Sequence, residues 1–421
     1  MKLHITNIGK IKEAEIAING ITVIGGENNT GKSTISKALY AIFNSFVDLE
    51  SRIATERKES IRKNLSYLYR SLDLNTKVDL KEFDLDDLTN EIYNSYQINK
   101  TDYDAFVAKL TKNIDATVLN TYRNQLKRIF NVTDDDYARK MVQEFFADEF
   151  KQQINNTLEK APGKIVLTIK NAEAKVFFTD NHVAKIEKPF SIFCEAIYLD
   201  DPFIVDKPPI NTRVLFSQLA SVHNYYAHKD RLSYLLYSKY STNNLIDEIV
   251  VGERLADIMQ KISRACDGKI YFEKTDELLF KQNSQDASFN IANLSTGLKT
   301  FAIIQMLLFS GVIQDGGVLL LDEPEIHLHP EWQLLFAELI VMLQKEFNLH
   351  ILINTHSPYF LNAIEVYSER HKIDDKCEYY LSFNQNNESF VKCVTGNVEE
   401  IYSKLARPLQ LLENLRYTDD E

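Results

Sequence analysis

A glycine-rich loop near residue 30 limits the possible fold more than any other part of the chain. It lies between the apolar run Ile21–Ile24 and a helical pattern formed by Ile35, Leu39 and Ile42. The spacing of its glycines, lysine and serine matches G-x4-G-K-[ST], in which a strand, a tight loop and a helix N-terminus cradle phosphate groups. The predicted nucleotide-binding residues are Gly26, Glu27, Asn28, Asn29, Thr30, Gly31, Lys32, Ser33 and Thr34.

A pair of acids late in the chain complements this loop. The apolar run Val318–Leu321 is typical of a buried parallel strand, and Asp322 and Glu323 follow it directly. Ligands of open α/β sheets bind beyond the carboxyl ends of such strands, so the acids should face the loop. We expect Asp322 and Ser33 to hold Mg²⁺. We expect Lys32 to reach the β- and γ-phosphates of ATP and Glu323 to polarise the attacking water.

A third motif, Asn293–Lys299, precedes a long apolar helical pattern. It resembles the Leu-Ser-Gly-Gly-Gln signature loop of ABC ATPases, with Thr296 in place of the first glycine and Leu298 in place of the glutamine. The resemblance implies that Ser295 and Gly297 bind the nucleotide held by an opposing subunit. An ordinary serine-capped helix start is the alternative interpretation.

The segment Asn354–Pro358 follows another apolar run and resembles the switch-histidine region of the same class. The resemblance implies that His356 contacts the γ-phosphate. A histidine with a purely structural role is the alternative. The glutamine of the family's Q-loop has no match, because none promptly follows the predicted strand around Tyr198–Pro202.

Residues Pro324–Pro330 resemble the D-loop region of RecF, SMC and OLD-type ATPases. In that group the region lines the dimer interface. The spacing of His327 and His329 is also that of half a metal site, but we prefer the interface interpretation because no cluster of acids or cysteines stands nearby to complete such a site.

These motifs predict an α/β protein: an ABC ATPase head, with a P-loop parallel sheet and an antiparallel β subdomain, carrying two helical insertions. The predicted head comprises residues 1–45, 164–215 and 267–421. Residues 46–163 are predicted to form a helical lid or short arm, since neither glycine nor proline interrupts the chain between Lys32 and Ala161. Residues 216–266 are predicted to form the second helical insertion.

Composition narrows the choice of partners. The formal net charge of −12 argues against a protein covered in positive potential, as a constitutive nucleic-acid coat would be. The sequence shows neither a signal peptide nor an apolar run long enough to span a membrane, so we expect a cytoplasmic protein without a membrane partner.

The residues of these motifs resemble those of OLD- and PtuA-like ATPases of bacterial anti-phage defence. This resemblance implies a sensor or regulatory ATPase that pairs with a second copy of itself across ATP. The chain after His356 is too short for the Toprim domain of OLD nucleases, so we expect any nuclease or toxin to be a separate effector protein. The alternative is a RecF-like repair ATPase that clamps DNA. The sequence leaves open whether DNA is a ligand.

Overall fold

The computed structural model describes residues 1–75, 84–98, 116–156, 161–206, 227–238, 255–272, 277–283 and 288–418. The chain divides into two compact units. One comprises Met1–Val47 and Val142–Glu421, and the other comprises Asp48–Met141.

An 11-stranded mixed sheet forms the centre of the first unit. Its strand order is β6-β5-β4-β1-β2-β14-β13-β3-β12-β11-β7. The strands are β1 (Lys2–Ile8), β2 (Ile11–Ala17), β3 (Ile21–Gly26), β4 (Gly163–Ile169), β5 (Ala172–Thr179), β6 (His182–Glu187), β7 (Ala196–Leu199), β11 (Val318–Asp322), β12 (His350–Thr355), β13 (Cys377–Gln385) and β14 (Glu388–Cys393).

The two halves of this sheet differ in strand direction. Strands β13, β3, β12, β11 and β7 are parallel neighbours, whereas β2, β1, β4, β5 and β6 pair in antiparallel fashion. Residues of β3 and β7 are buried throughout, as expected for parallel strands covered on both faces. The carboxyl ends of β3, β11, β12 and β7 therefore meet at one edge of the sheet.

Helices and a smaller sheet complete the fold. The helices are α1 (Lys32–Ser45), α2 (Leu49–Asn75), α3 (Leu85–Ile98), α4 (Ala116–Asn131), α5 (Asp134–Glu149), α6 (His228–Ser238), α7 (Ala256–Ser263), α8 (Thr296–Phe309), α9 (Pro330–Phe347), α10 (Pro358–His371) and α11 (Glu399–Thr418). The second sheet has the order β10-β9-β8, formed by β8 (Gly268–Phe272), β9 (Leu278–Gln282) and β10 (Ser288–Asn290).

Aromatic side chains fill much of the core beside the parallel strands. Phe336 of α9 is fully buried, with its ring 5.4 Å from that of Phe301 on α8 and 6.4 Å from that of Phe360 on α10. The same core includes Leu236 of α6 and Ile262 of α7. These two helices fall within the predicted second insertion, whose residues 216–226 and 239–254 lie outside the described ranges.

The second unit has a small core of its own. Ile61, Leu65, Leu88, Ile92 and Leu126 bring α2, α3 and α4 together. At its edge the Tyr96 and Phe130 rings stack with centroids 3.9 Å apart, and the Tyr96 hydroxyl donates to the Phe130 carbonyl. All of these residues belong to the predicted insertion 46–163.

The α/β fold class is confirmed. The predicted antiparallel strands are present. Strands β2, β1, β4, β5 and β6 continue the parallel sheet edge to edge through the pairing of β14 with β2, whereas β8, β9 and β10 form a separate antiparallel sheet. No helix in the described part of the chain is both long and apolar enough to cross a bilayer.

The aromatic core gives a direct test of the fold. Replacing Phe336 with alanine should lower the free energy of unfolding by about 3–5 kcal/mol, because the cavity lies among rigid neighbours. Urea unfolding followed by the fluorescence of Trp332, the only tryptophan in the sequence, measures the change. Phe193→Ala is the matched control, since that side chain is 88% exposed and its loss should cost under about 0.5 kcal/mol. Equal unfolding midpoints for the two variants would contradict the assigned packing.

Candidate active site

The glycine-rich loop joins β3 to α1 in a conformation that requires small residues. Gly31 has φ +84° and immediately precedes α1, and Gly26 has φ +152°. A Cβ atom on Gly26 would lie 2.2 Å from the carbonyl oxygen of Ser382, and one on Gly31 would lie 2.3 Å from Ile11 Cδ1. Side chains at these two positions are therefore excluded by both backbone conformation and neighbours.

Neighbouring strands and turns hold the outside of this loop. Ser382 Oγ on β13 donates to the Thr30 carbonyl at 2.6 Å, and Lys10 Nζ from the β1–β2 turn donates to the Asn29 carbonyl at 2.9 Å. Thr30 Oγ1 closes the loop internally by donating to the Glu27 carbonyl at 2.8 Å. The loop is therefore ordered by the fold itself.

Lys32 is buried, and its side chain folds back over the loop. Its Nζ donates to the carbonyls of Glu27 at 2.8 Å and Gly26 at 3.2 Å. Burial lowers the pKa of Lys32 to about 8, although the nearby carboxylates of Glu323 and Asp322 act in the opposite direction. A phosphate group would offer this ammonium stronger acceptors than the two carbonyls.

Both carboxylate oxygens of Asp322, at the end of β11, are held by neighbouring strands. Asn354 Nδ2 on β12 donates to Oδ1 at 2.8 Å, and the Tyr198 hydroxyl on β7 donates to Oδ2 at 2.9 Å. Asn354 Nδ2 also lies 2.9 Å from Ser36 Oγ on α1. The acid is thus connected to the helix that follows the glycine-rich loop.

Glu323 and His356 form a pair. Glu323 has φ +49°, an unusual backbone conformation for this residue type, and its N–H donates to the Asn354 carbonyl at 2.9 Å. Its Oε1 lies 3.0 Å from His356 Nε2. Burial and the nearby Lys32 ammonium lower the pKa of His356, so its neutral imidazole donates to the carboxylate at neutral pH.

Glu325 connects the loops that follow β11 and β12. It is 5% exposed, and its Oε1 accepts from the Thr355 hydroxyl and, at 3.1 Å, from the His356 backbone N–H. Burial raises the pKa of its carboxyl group. The contact fixes the backbone from which the His356 ring extends.

The segment around Ser295 makes contacts other than those that join the glycine-rich loop to the acids. Ser295 caps α8, and its Oγ accepts from the Leu298 N–H at 3.5 Å. A Cβ on Gly297 would lie 3.1 Å from the Trp332 ring and 3.2 Å from the His327 carbonyl, so a side chain at this position would crowd both groups. The buried Lys299 ammonium pairs with Asp206 at 2.7 Å.

The structure therefore gathers some of the predicted site residues and not others. Lys32, Asp322, Glu323 and His356 are linked through hydrogen bonds, ion pairing or mutual electrostatic interaction. Glu27, Asn28 and Asn29 are exposed on the loop, whereas Ser33 is exposed in the first turn of α1 and Thr34 follows it. Within the described ranges, Ser295 and Gly297 share no hydrogen bond or ion pair with the loop.

Sequence reasoning missed several residues that shape the site. The register pairs Asn354 directly with Asp322, so strand alignment alone could have identified it. The sequence places Tyr198 only in a predicted strand near the unassigned Q-loop, and nothing in the local pattern indicates its bond to an acid far along the chain. Ser382 and Glu325 likewise act through contacts that a single sequence does not display.

Comparisons with known proteins agree with this geometry. A family model described as AAA ATPase domain matches residues 1–361. The Retron Vc95 probable ATPase of Vibrio cholerae serotype O1 biovar El Tor is 28% identical over 177 residues, which is 39% of this chain and 30% of that protein. The match thus spans less than a third of the length of this relative.

Solved structures include distant matches to SMC heads. The SMC head bound to the C-winged helix domain of ScpA has 11% identity and a TM-score of 0.43, covering 93% of this chain and 96% of that one. The SMC head domain from Thermotoga maritima has 12% identity and a TM-score of 0.37, covering 93% and 98%. The chain belongs to the AAA ATPase domain family.

Proposed function

We propose that this ATPase closes as a dimer around ATP and acts as the regulatory subunit for a separate effector protein. The main support for this proposal is that the predicted ATP-binding residues lie in two separate groups. The phosphate-binding loop and the acids lie together, whereas Ser295 and Gly297 form no bond with them among the described residues. A second copy can supply this missing part.

On one side of the proposed site, residues of this chain bind the phosphates. Lys32 exchanges the Glu27 and Gly26 carbonyls for phosphate oxygens, and the N-terminus of α1 faces the same groups. Asp322 and Ser33 offer oxygen donors only, as Mg²⁺ prefers. When bound, Mg²⁺ would neutralise charge on the phosphate oxygens.

Glu323 and His356 carry the reaction in this proposal. Before ATP binds, their pairing at 3.0 Å holds the Glu323 carboxylate beside His356, so that it does not pair with Lys32. With ATP in place, Glu323 accepts hydrogen bonds from the attacking water and orients it in line with the γ-phosphate. The neutral His356 imidazole then has a phosphate oxygen as a new acceptor, and thereby reports its presence.

The opposing subunit would contribute its Ser295 hydroxyl and the N-terminus of α8. Ser295 is exposed, and anions bind well at such helix ends. Next to it, the D-loop region presents Ile326, which is 63% exposed, and the backbone of His327 supports Gly297. The exposure of Ile326 fits the place of this segment in RecF, SMC and OLD-type ATPases, where it lines the dimer interface.

The regulatory role rests on the resemblance to OLD- and PtuA-like defence ATPases and on the relative named for a retron. We therefore propose a role in bacterial anti-phage defence, with a nuclease or toxin as the effector. ATP binding would close the dimer and hydrolysis would release it, so that the effector responds to the population of closed dimers.

Two variants separate ATP binding from hydrolysis. Glu323→Gln should keep ATP affinity, lower kcat about 100-fold or more and accumulate an ATP-bound dimer, because only water activation is lost. Lys32→Ala should bind ATP weakly and stay monomeric. Light scattering during size-exclusion chromatography, with and without ATP and Mg²⁺, measures the mass. Lys37→Ala on the same helix is the control and should behave as wild type. The same oligomeric state for the glutamine and alanine variants would contradict the dimer model.

Mixing two inactive variants tests whether the site is shared. Lys32→Ala and Ser295→Arg should each be inactive alone, since neither variant by itself can assemble a site with both an intact phosphate-binding loop and an intact signature segment. Subunit exchange restores one complete site per heterodimer, so an equimolar mixture should recover up to about a quarter of wild-type hydrolysis. Phosphate release measures it. An inactive mixture, despite demonstrated subunit exchange, would contradict a site built from two chains.

A DNA titration distinguishes the regulatory ATPase from a RecF-like clamp. We expect steady hydrolysis to change by less than about twofold on adding duplex or single-stranded DNA, because the chain carries a net charge of −12 and a DNA clamp would need many phosphate contacts. Stimulation that fades between low and moderate salt would instead support the clamp.

A further inference from the structure

Two side chains clamp the carboxylate of Asp322 from opposite sides. Strand β11 lies between β12 and β7 in the sheet. Asn354 stands directly across from Asp322 on β12, whereas Tyr198 stands across from Leu320 on β7. The longer tyrosine side chain reaches forward along the strand, and its hydroxyl meets Oδ2 at 2.9 Å.

The Tyr198 ring is itself fixed. It is 1% exposed, and its centroid lies 4.3 Å from that of the His228 imidazole. Carboxylate oxygens lie close to both nitrogens of this imidazole: Glu149 lies 2.9 Å from Nδ1, with hydrogen-bond geometry, and Asp200 lies 3.1 Å from Nε2. The Tyr40 ring also packs here, with its centroid 6.3 Å from that of the Tyr198 ring. The phenol therefore has little freedom to turn away from Asp322.

The direction of the hydrogen bond is fixed as well. Burial, followed by the nearby Asp322 charge, raises the pKa of Tyr198 well above its ordinary value. The hydroxyl keeps its proton at neutral pH and donates it to the carboxylate. A carboxylate oxygen that accepts one such bond retains lone pairs for a metal ion.

We propose that Tyr198 is a positioning residue for Mg²⁺ binding, which holds the Asp322 carboxylate in one orientation through its hydroxyl. This inference rests on the proposed role of Asp322 as a metal ligand. Partners of metal ligands commonly contribute 10- to 100-fold to metal affinity, because an oriented ligand loses less freedom when the metal binds. Without the hydroxyl, Asn354 would be the one side-chain hydrogen-bond donor left to this carboxylate among the described residues.

The test is an Mg²⁺ titration that does not depend on hydrolysis. A fluorescent ATP analogue is bound to wild type and to Tyr198→Phe, first in EDTA and then with increasing Mg²⁺. The half-saturating Mg²⁺ concentration should rise about 10-fold or more in the variant. Affinity for the analogue in EDTA should stay within about twofold, because the phosphate-binding loop is untouched.

Tyr237→Phe is the matched control. Tyr237 is 6% exposed and its hydroxyl donates to the Val205 carbonyl at 3.0 Å, so this variant loses a buried tyrosine hydrogen bond away from Asp322. Its Mg²⁺ titration should match wild type. An unshifted titration for Tyr198→Phe overturns the inference, and so does an equal shift in the control or an equal loss of affinity in EDTA.

A third variant separates this inference from the proposed function. Asp322→Asn should abolish the response of analogue binding to Mg²⁺. If that variant still responds as wild type does, Asp322 is not a metal ligand and the proposed site assignment fails. If it loses the response while Tyr198→Phe keeps it unchanged, only the positioning role of Tyr198 is overturned.

Discussion

The buried amide of Asn354 is the contact on which the arrangement of the site depends. One nitrogen lies within hydrogen-bonding distance of Ser36 on α1 and of Asp322 at the end of β11. Asn354 itself has no exposed surface, so these bonds compete little with water. They set the helix that begins at the phosphate-binding loop in register with the strand that carries the acids. Because parallel strands end at a common edge, this one amide connects motifs that are about 290 residues apart in sequence.

Electrostatic balance explains how so many ionisable groups share this edge. Lys32 is almost fully buried, which by itself disfavours its charge, but Glu323 and Asp322 favour it. Glu323 in turn has the His356 imidazole as a donor, and Glu325 has the Thr355 hydroxyl and the His356 N–H. Each of these side chains thus has at least one hydrogen-bond or ion-pair partner before ATP arrives. Any incoming phosphate must replace specific contacts, above all those between Lys32 and the loop carbonyls.

The signature segment and the D-loop region form a second structural group. Gly297 packs on Trp332, and the Trp332 ring lies 6.0 Å from Phe301 in an edge-on arrangement. Since α8 and α9 share one aromatic core with the parallel sheet, a shift of the segment would disturb that core. This rigidity suits the proposed dimer, in which each subunit offers its signature segment as a preformed surface for the nucleotide of the other.

The sequence by itself determined the class of the protein, because glycine spacing, an acid-terminated apolar run and a histidine after a further strand are local patterns that chemistry restricts severely. It also predicted Lys32, Asp322, Glu323 and His356 as members of one site, and the structure brings these four together. Only the tertiary structure decided which side chains hold them. Tyr198, Ser382 and Glu325 act across segments that are distant in sequence, and no local period or propensity encodes such contacts. Asn354 is the exception, because aligning the two apolar strands places it beside Asp322. The continuation of the sheet through β14 and β2 was equally hidden, since strand pairing depends on packing between segments rather than on the residues within one.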